Sequence, residues 1–313
     1  MIRTCFSTLA CPDWSFDEMV RNGSEGGYHG VEIRLVQRQT DLLQVPDLGP
    51  QRLAGCRRLL QSSGFCVAGL ASSVAFDSPD PNERRRQVLV GRAYLELAVE
   101  LGAQFVRVFG DTIRQEVGRD STVEQVAEGL NQLGDHAESL NCEVVLETHG
   151  DFSDSRLVAD TFQHVVSPAV GILWDTHHPW RFQDESLAET IARFHGRVRH
   201  THWKDSATPR SRDPQPQATE DAATVNAAAT AHALMSGHRH ADYVLFGDGE
   251  FPAVECLQLL EANGYDGWYC YEWEKMWHPE LAGPETALPL FPNTLRQLHR
   301  LALSARTCPP SAG

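Results

Sequence analysis

The residues best suited to chemistry in this sequence stand at the ends of short apolar segments in its second half. Four of these segments, VVLETHG, GILWDTHH, VRHTHWKD and GWYCYEWE, supply a side chain that can bind a cation: Glu147, Asp175, His202 and Glu272. If each segment is a β-strand, side chains alternate between its two faces, and these four residues are able to point into one small volume. Unpaired charges buried there would cost several kcal/mol each, so something cationic must neutralise them.

A divalent metal ion would neutralise such a cluster. Glutamate, aspartate and histidine offer oxygen and nitrogen ligands that suit Mn²⁺, Mg²⁺, Co²⁺ or Zn²⁺. Taken singly, a carboxylate after a strand is usually a helix cap, and a histidine is usually a hydrogen-bonded core residue. The recurrence of such residues on four successive segments favours a site for one divalent metal ion.

The elements that must position these residues are indicated by the pattern of the whole chain. Short apolar segments alternate with longer amphipathic ones, as in repeated βα units around a parallel sheet. Strands are predicted at 2–7, 30–34, 65–72, 105–109, 143–148, 170–175, 198–204 and 268–271. Helices are predicted at 15–25, 51–63, 82–101, 122–140, 155–165, 185–194, 252–263 and 285–303.

Eight strands, each followed by a helix, predict a single α/β domain, a (β/α)8 TIM barrel over residues 1–306. An open doubly wound sheet is disfavoured, because the turn after the first strand, LACPDWS, has no glycine to approach a phosphate. A long insertion after strand 7, residues 206–242, is interpreted as a lid or an interface element. It contains His232, His238 and His240, which are interpreted as exposed loop residues, and the tail 307–313 is expected to be disordered.

Composition narrows the function classes. The 313 residues are 42% hydrophobic and 22% charged, which suits one large globular domain, and no segment predicts a signal peptide or a membrane span. A cytoplasmic location without a membrane partner is therefore expected, and the eight scattered cysteines are expected to be reduced and mostly buried. The formal net charge of −15 argues against a nucleic-acid partner. Assembly into a homo-oligomer stays open.

Seven motifs together resemble a known family. They are GYHGVEIR (27–34), VRVFG (106–110), VVLETHG (144–150), WDTHH (174–178), HWKD (202–205), FGDGEFP (246–252) and GYDGWYCYEWE (264–274). The sequence resembles the xylose-isomerase-like TIM-barrel superfamily, which includes sugar-phosphate isomerases and epimerases, over nearly its whole length except 206–242 and the tail. The resemblance implies a metal-dependent enzyme of carbohydrate metabolism with a small polyhydroxylated substrate.

The resemblance also implies residue roles. It assigns Glu147, Asp175, His202 and Glu272 as metal ligands, with the two glutamates doubling as the acid/base pair. A histidine three residues after the aspartate contacts substrate in this family, which here is His178, although the adjacent His177 competes for that role.

Further candidates line the predicted pocket. Lys204 matches the lysine of the family's H-x-K-D motif, and it is one of only two lysines in the chain. Glu32 and Arg34 are predicted to line the pocket floor, with a structural ion pair between Glu32 and an arginine as the alternative, and Arg107 has the same two interpretations. Lys275 is interpreted as a helix start or as the partner of Glu274.

The predicted mechanism begins by removing a proton from a carbon next to a carbonyl, which a metal ion assists by stabilising the enolate. With Glu147 and Glu272 on opposite walls, one carboxylate can take the proton and the other can return it, giving epimerisation or isomerisation. Loss of a β-hydroxyl from the same enolate is dehydration, with His149 or His178 as general acid. From the sequence alone, an isomerase or epimerase is the first prediction, and a dehydratase or other lyase is the alternative.

Two other classes are weighed against these enzymes. The same barrel occurs in endonucleases that act on abasic DNA with three zinc ions, but the third strand here, VAGLASS, ends without a ligand, and the net charge opposes DNA binding. A sugar-binding protein with a structural metal site is the third class. Three carboxylates and one imidazole leave open positions in an octahedral shell, which favours catalysis.

Overall fold

The barrel predicted from the sequence is present in the computed structural model, which describes residues 2–208 and 241–306. Its strands are β1 (Arg3–Ser7), β2 (Gly30–Ile33), β3 (Cys66–Ala75), β4 (Phe105–Phe109), β5 (Glu143–Glu147), β6 (Val170–Asp175), β7 (Val198–Trp203) and β10 (Trp268–Tyr271). They close in the order β1-β10-β7-β6-β5-β4-β3-β2, and every neighbouring pair is parallel. The predicted fold class is therefore confirmed.

Two short strands follow the seventh barrel strand. They are β8 (Asp205–Ala207) and β9 (Asp242–Val244), and they form an antiparallel ribbon in which Ser206 faces Tyr243. These strands flank the predicted insertion, most of which lies outside the described residues. The same is true of the insertion's three histidines and of the tail 307–313.

The helices surround the barrel. They are α1 (Phe16–Glu25), α2 (Leu53–Ser63), α3 (Pro81–Leu101), α4 (Arg119–Ser139), α5 (Ser155–His164), α6 (His178–Phe182), α7 (Leu187–Phe194), α8 (Ala253–Ala262), α9 (Pro284–Ala287) and α10 (Leu290–Arg306). Polar caps explain several starts: Ser15 and Glu18 form a capping box on α1, and Asp80 caps α3. The sequence missed α6, whose five residues are too few for a periodic pattern to emerge.

The lower part of the barrel is filled by a small apolar cluster. Its seven members come from six strands: Cys5, Ala68, Phe105, Val145, Leu173, Trp268 and Cys270. Gly69 on β3 makes room for this cluster, because a Cβ there would lie 2.1 Å from the Phe105 ring. Because this cluster fills the lower barrel, the functional site is expected at the other end, where the strands end in charged side chains.

Among the described residues, no helix is long and apolar enough to cross a bilayer. All seven described cysteines are free thiols, and six of them are buried, whereas Cys66 is exposed. The expectation of reduced, mostly buried cysteines is met for these seven, and Cys308 lies outside the described residues.

Candidate metal centre

The four residues picked from the strand ends converge. Glu147 ends β5, Asp175 ends β6, His202 lies on β7, and Glu272 directly follows β10. One ligand-type atom from each lies within 4.8 Å of the corresponding atoms of the other three. All four residues are buried, with at most 5% of their surface exposed. Because β5, β6, β7 and β10 are consecutive in the barrel, strand order alone brings these residues together.

His202 occupies the middle of the cluster. Its Nδ1 lies 3.2 Å from Glu147 Oε1 and 3.2 Å from Glu272 Oε2, and its Nε2 lies 2.9 Å from Glu32 Oε2. Glu32 also approaches the Nε2 of His200, at 3.0 Å. The predicted ion pair between Glu32 and an arginine is therefore replaced by contacts with two imidazoles, since β7 presents both histidines toward β2 across the barrel.

The Lys204 ammonium lies among acidic side chains beside this group. Its Nζ is 2.5 Å from Glu272 Oε2, 2.8 Å from Glu274 Oε1 and 2.8 Å from Asp175 Oδ2. The residue is only 1% exposed, so the four-carbon stem is buried as well. The Nζ of Lys204 also lies 3.2 Å from His178 Nε2.

Two arginines are also buried near these acidic side chains. Arg107 donates to Glu147 Oε2 at 2.7 Å, and its guanidinium lies 3.9 Å above the Phe109 ring. Arg34 donates to the Thr40 carbonyl at 3.3 Å and to the Ser73 hydroxyl at 2.8 Å. Arg107 thus forms an ion pair, with the candidate metal ligand Glu147 and not with Glu32, and its role in lining the pocket stays a prediction.

The balance of buried charges bears on whether a metal ion fits this site. The buried side chains of this region include five carboxylates and three permanent cations: Glu32, Glu147, Asp175, Glu272 and Glu274, against Arg34, Arg107 and Lys204. Arg34 acts on Glu147 and Glu272 through its charge alone, since its hydrogen bonds go to Thr40 and Ser73. With neutral imidazoles, two negative charges are left uncompensated in a buried volume, which a divalent cation would balance. Asp175 Oδ2 is buried and receives no hydrogen bond of acceptable geometry, although the Lys204 ammonium is near. The donor set and the charge both fit a divalent metal ion.

The pKa shifts record the same excess of negative charge. Burial would lower the pKa of His202, but Glu272, Glu32 and Glu147 raise it well above its usual value. Burial raises the pKa of Asp175 to about 6, against the opposing effect of Lys204. These directions hold for the protein without a metal ion, and they mean that protons take up part of the charge that a cation would otherwise balance.

The two adjacent histidines after Asp175 face different partners. His178 Nδ1 lies 3.0 Å from the Thr148 carbonyl oxygen, and its Nε2 points to Lys204. His177 Nε2 lies 2.7 Å from the Ser206 hydroxyl, at the ribbon formed by β8 and β9. His178 is therefore the histidine of the pair that adjoins the metal centre.

His149 forms a dyad with an aspartate that the sequence analysis did not single out. Its Nδ1 lies 3.2 Å from Asp111 Oδ1. Burial opposes protonation, yet Asp111 raises the pKa of His149. Asp111 has a positive φ of 62°, and its carbonyl accepts from the Asp151 amide at 2.9 Å. Gly150 permits this close approach, because a Cβ there would lie 2.7 Å from the Asp111 carbonyl oxygen.

A sequence model described as "Xylose isomerase-like TIM barrel" matches residues 20–292. The chain belongs to this family. Among curated members, it is 25% identical to the inosose dehydratase of Serratia proteamaculans over 168 residues, which cover 53% of this chain and 51% of that protein. The chain thus spans about half the length of this relative. The inosose dehydratase of Geobacillus thermodenitrificans is 22% identical over 285 residues, covering 87% of this chain and 89% of the relative.

Solved structures show the same xylose isomerase-like barrel. An L-ribulose 3-epimerase covers 100% of both chains with a TM-score of 0.73 and 13% identity. A xylose isomerase-like TIM barrel protein from Mycobacterium smegmatis, solved in complex with magnesium, has a TM-score of 0.65 and 16% identity and covers 97% of both chains. At these identities the likeness concerns the fold.

Two members of this barrel's charged network were missed by sequence reasoning about the site. Glu274 contacts Lys204, and Asp205 accepts from the backbone amides of Ser206, Gly247, Gly249 and Phe251. The alternation in YEWE places Glu274 on the face of Glu272, which was a usable signal. No comparable signal linked Asp205 to a loop that lies more than forty residues away in sequence.

Lys275 corrects another expectation. Its Nζ donates to the carbonyls of Pro279 and Leu281, and the next helix begins only at Pro284. Lys275 therefore does not start a helix, and Glu274 is bound by Lys204 instead. Lys275 holds the loop that follows β10 in place.

Proposed function

We propose that this protein is a divalent-metal-dependent dehydratase that removes water from a small keto-polyol of the inosose type. Dehydration was the second of the two reactions ranked from the sequence. The observation that carries the proposal is the position of the Lys204 ammonium, 2.5 Å from Glu272 and 3.2 Å from His178 Nε2. Both curated relatives described above are named inosose dehydratase, which agrees with this choice.

The state of the two glutamates argues against ranking epimerisation first. Burial alone would raise their pKa values, but Arg107 and His202 lower the pKa of Glu147, and His202 and Lys204 lower the pKa of Glu272. An epimerase that works through two carboxylates needs each of them to hold a proton in turn. Both carboxylates are assigned metal ligands and already pair with Arg107, His202 or Lys204, so the pair suits metal binding better than proton return.

Dehydration needs one proton acceptor and one donor, and the site offers both. A carbonyl oxygen only accepts hydrogen bonds, so His178 carries its proton on Nδ1 toward Thr148, which leaves a lone pair on Nε2. Burial and Lys204 lower the pKa of His178 well below its usual value, which keeps the ring neutral. We assign His178 as the base that takes the proton next to the carbonyl.

The donor is assigned to His149. His149 Nδ1–H donates a hydrogen bond to the Asp111 carboxylate, which favours the doubly protonated ring. The proton on His149 Nε2 is then available to a leaving hydroxyl. The ring centroids of His149 and His178 are 5.7 Å apart, so both act on the same side of the metal centre. Glu147, Asp175, His202 and Glu272 would hold the metal ion, which when bound supplies Lewis acidity to the substrate carbonyl.

Lys204 has a separate role in this proposal. Its three N–H groups are directed to Glu272, Glu274 and His178 Nε2, and its charge keeps His178 neutral. When substrate binds, the N–H toward His178 would turn to a substrate oxygen, which frees Nε2 to act as the base. Glu274 holds the ammonium from the far side at 2.8 Å. Arginine could not replace it, because a planar guanidinium does not fit a compact set of three carboxylates and one imidazole.

The test is a substrate screen with metal-reconstituted protein and product identification. Inososes, ketoses and aldoses are incubated in D₂O with Mn²⁺, Mg²⁺ or Co²⁺, and products are followed by mass spectrometry and NMR. The proposal expects a product that has lost one water, formed from an inosose or a related keto-polyol. An epimer that carries deuterium at the reacting carbon, with no loss of water, would instead identify an epimerase.

Epimerase is kept as the second candidate because of one observation. Glu147 and Glu272 approach the same nitrogen, His202 Nδ1, from two sides at 3.2 Å each. Such an arrangement would let one carboxylate take a proton from a bound substrate and the other return it. The variant His149→Gln separates the two reactions, since it should stop dehydration and leave a two-carboxylate epimerisation running.

A further inference from the structure

Glu32 is a buried carboxylate that no step of the proposed reaction uses. It lies on β2, across the barrel from β7, and it is 0% exposed. Its oxygens lie 2.9 and 3.1 Å from His202 Nε2, and Oε2 also lies 3.0 Å from His200 Nε2. A charged group this deep needs a reason, since burying a carboxylate is costly unless its partners compensate.

The contacts with Glu32 place a proton on one nitrogen of His202, Nε2. An ionised carboxylate can only accept, so His202 Nε2 must donate to Glu32. In the protein without a metal ion, Nδ1 also lies 3.2 Å from Glu147 Oε1 and from Glu272 Oε2, so it can carry a second proton. A bound metal ion would displace that proton, and Nδ1 would then present a lone pair while Nε2 keeps the proton that Glu32 accepts. Nδ1 faces Glu147 and Glu272, where the metal ion would be held.

We propose that Glu32 is a positioning residue that fixes the tautomer and orientation of His202, so that Nδ1 is the metal-binding nitrogen. A carboxylate behind a metal-bound histidine also makes the ring a stronger ligand. His200 Nε2 also lies 3.0 Å from Glu32 Oε2, although without a hydrogen bond of acceptable geometry, so His202 is the histidine that Glu32 orients. The inference rests on the proposed metal centre, and it is independent of whether the reaction is a dehydration or an epimerisation.

A competing use of the same atoms is a second metal ion. Glu32, His200, His202 and Cys270 also bring four ligand-type atoms within 4.8 Å of one another. If an ion were held there, His202 Nε2 would lose its proton and the ring would have to bridge two metals. The hydrogen-bond distances to Glu32 favour a proton at that position, and metal stoichiometry distinguishes the two arrangements.

The experiment is a Co²⁺ titration of the full-length apoprotein and two variants, followed by isothermal calorimetry and visible absorption, with no substrate present. Wild-type protein should bind one Co²⁺ per chain. Glu32→Gln keeps the shape and removes the charge, and it should bind Co²⁺ roughly 10–100-fold more weakly, with an altered visible spectrum. The matched control, Cys270→Ser, changes a neighbouring buried side chain and should retain wild-type affinity and spectrum.

Unchanged affinity and spectrum in Glu32→Gln would overturn the proposal. So would two Co²⁺ ions per chain with a sulfur-to-cobalt absorption band that disappears in Cys270→Ser. If Glu32→Gln does not fold, ¹⁵N-histidine NMR of the Zn²⁺-loaded wild-type protein decides, since a proton on His202 Nε2 and metal on Nδ1 are required. Failure of the dehydratase proposal leaves all of these readouts unchanged, because they measure binding alone.

Discussion

Arg107 and His202 divide the two carboxylate oxygens of Glu147 between them. Oε2 accepts from the Arg107 guanidinium at 2.7 Å, and Oε1 lies 3.2 Å from His202 Nδ1. One oxygen is therefore neutralised by the protein itself, and the other faces the volume where a metal ion would be held. These two contacts favour an ionised Glu147 carboxylate even when no metal ion is bound.

Arg107→Met should destabilise the protein more without metal than with it. Removing one partner of a buried ion pair costs about 3–5 kcal/mol, because the other charge is left uncompensated. A bound divalent ion would compensate part of that charge. Thermal unfolding of wild type and variant, with and without Mn²⁺, measures this. An equal loss in both conditions would mean that Glu147 does not take part in metal binding.

Lys204→Gln should lower kcat by about 100-fold or more while metal binding persists. The substitution removes a cation that lies within 2.8 Å of the candidate ligands Asp175 and Glu272, so divalent affinity should rise. Steady-state kinetics and metal titration together check both parts. Lys275→Gln is the control, since that lysine binds loop carbonyls. A variant with near wild-type turnover would remove Lys204 from the mechanism.

Glu147→Gln and Glu272→Gln should each abolish measurable turnover and weaken metal binding, with the barrel intact. An amide oxygen is a poorer ligand than a carboxylate. In addition, Arg107 would lose its carboxylate partner in Glu147→Gln, and Lys204 would lose one of three carboxylate neighbours in Glu272→Gln. Circular dichroism verifies the fold, and calorimetry with Mn²⁺ gives the affinity. Glu250→Gln, at a partly exposed ion pair with Arg181, is the matched control. Retention of near wild-type rate in either site variant would refute the assignment.

Much of the barrel and of its charged end could be predicted from the sequence, because both depend on local patterns. Strands such as β4 and β6 lie at the predicted bounds, since short apolar segments between amphipathic ones have few other interpretations. Convergence of Glu147 and Glu272 follows from the rule that the carboxyl ends of barrel strands share one edge. Both features follow from short sequence patterns and do not depend on which distant residues come into contact.

Partner choice could not be predicted, because it depends on contacts across the barrel. Glu32 and His202 are 170 residues apart, and alternation gives the face of a side chain but not the residue it meets. For the same reason Lys204 could not be paired with Glu274 in advance, nor Asp111 with His149. Asp111 depends in addition on a left-handed backbone conformation that its own sequence does not announce.

Thiol reactivity should follow burial. Burial raises the pKa values of Cys56 and Cys142 to about 11, so both stay protonated and unreactive near neutral pH. Cys66 is exposed at the start of β3. Native protein treated with iodoacetamide should be alkylated at Cys66 well before Cys56 and Cys142, as read by peptide mass spectrometry. Guanidinium should remove the difference. Early labelling of Cys142 in native protein would contradict its burial just before β5.

The cap of α5 should make stability depend on pH in a defined direction. Asp154 accepts from the Arg156 backbone amide at 2.9 Å and pairs with its guanidinium at 2.7 Å. Burial opposes the effect, but these hydrogen bonds lower the pKa of Asp154 in the folded protein. A carboxyl with a lowered folded pKa stabilises the protein above its unfolded pKa of about 4, and this contribution is lost as the pH falls through the folded value.

Asp154→Ala should therefore cost about 1 kcal/mol near neutral pH, the usual value of a lost helix cap, and less at low pH. Thermal unfolding of wild type and variant between neutral pH and the onset of acid denaturation gives the difference at each pH. Asp135→Ala removes one exposed carboxylate on α4 and controls for net charge. Its difference in stability from wild type should not shrink in the same way as the pH falls. A gap between Asp154→Ala and wild type that widens on acidification would show that the cap acts through something other than the ionised carboxylate.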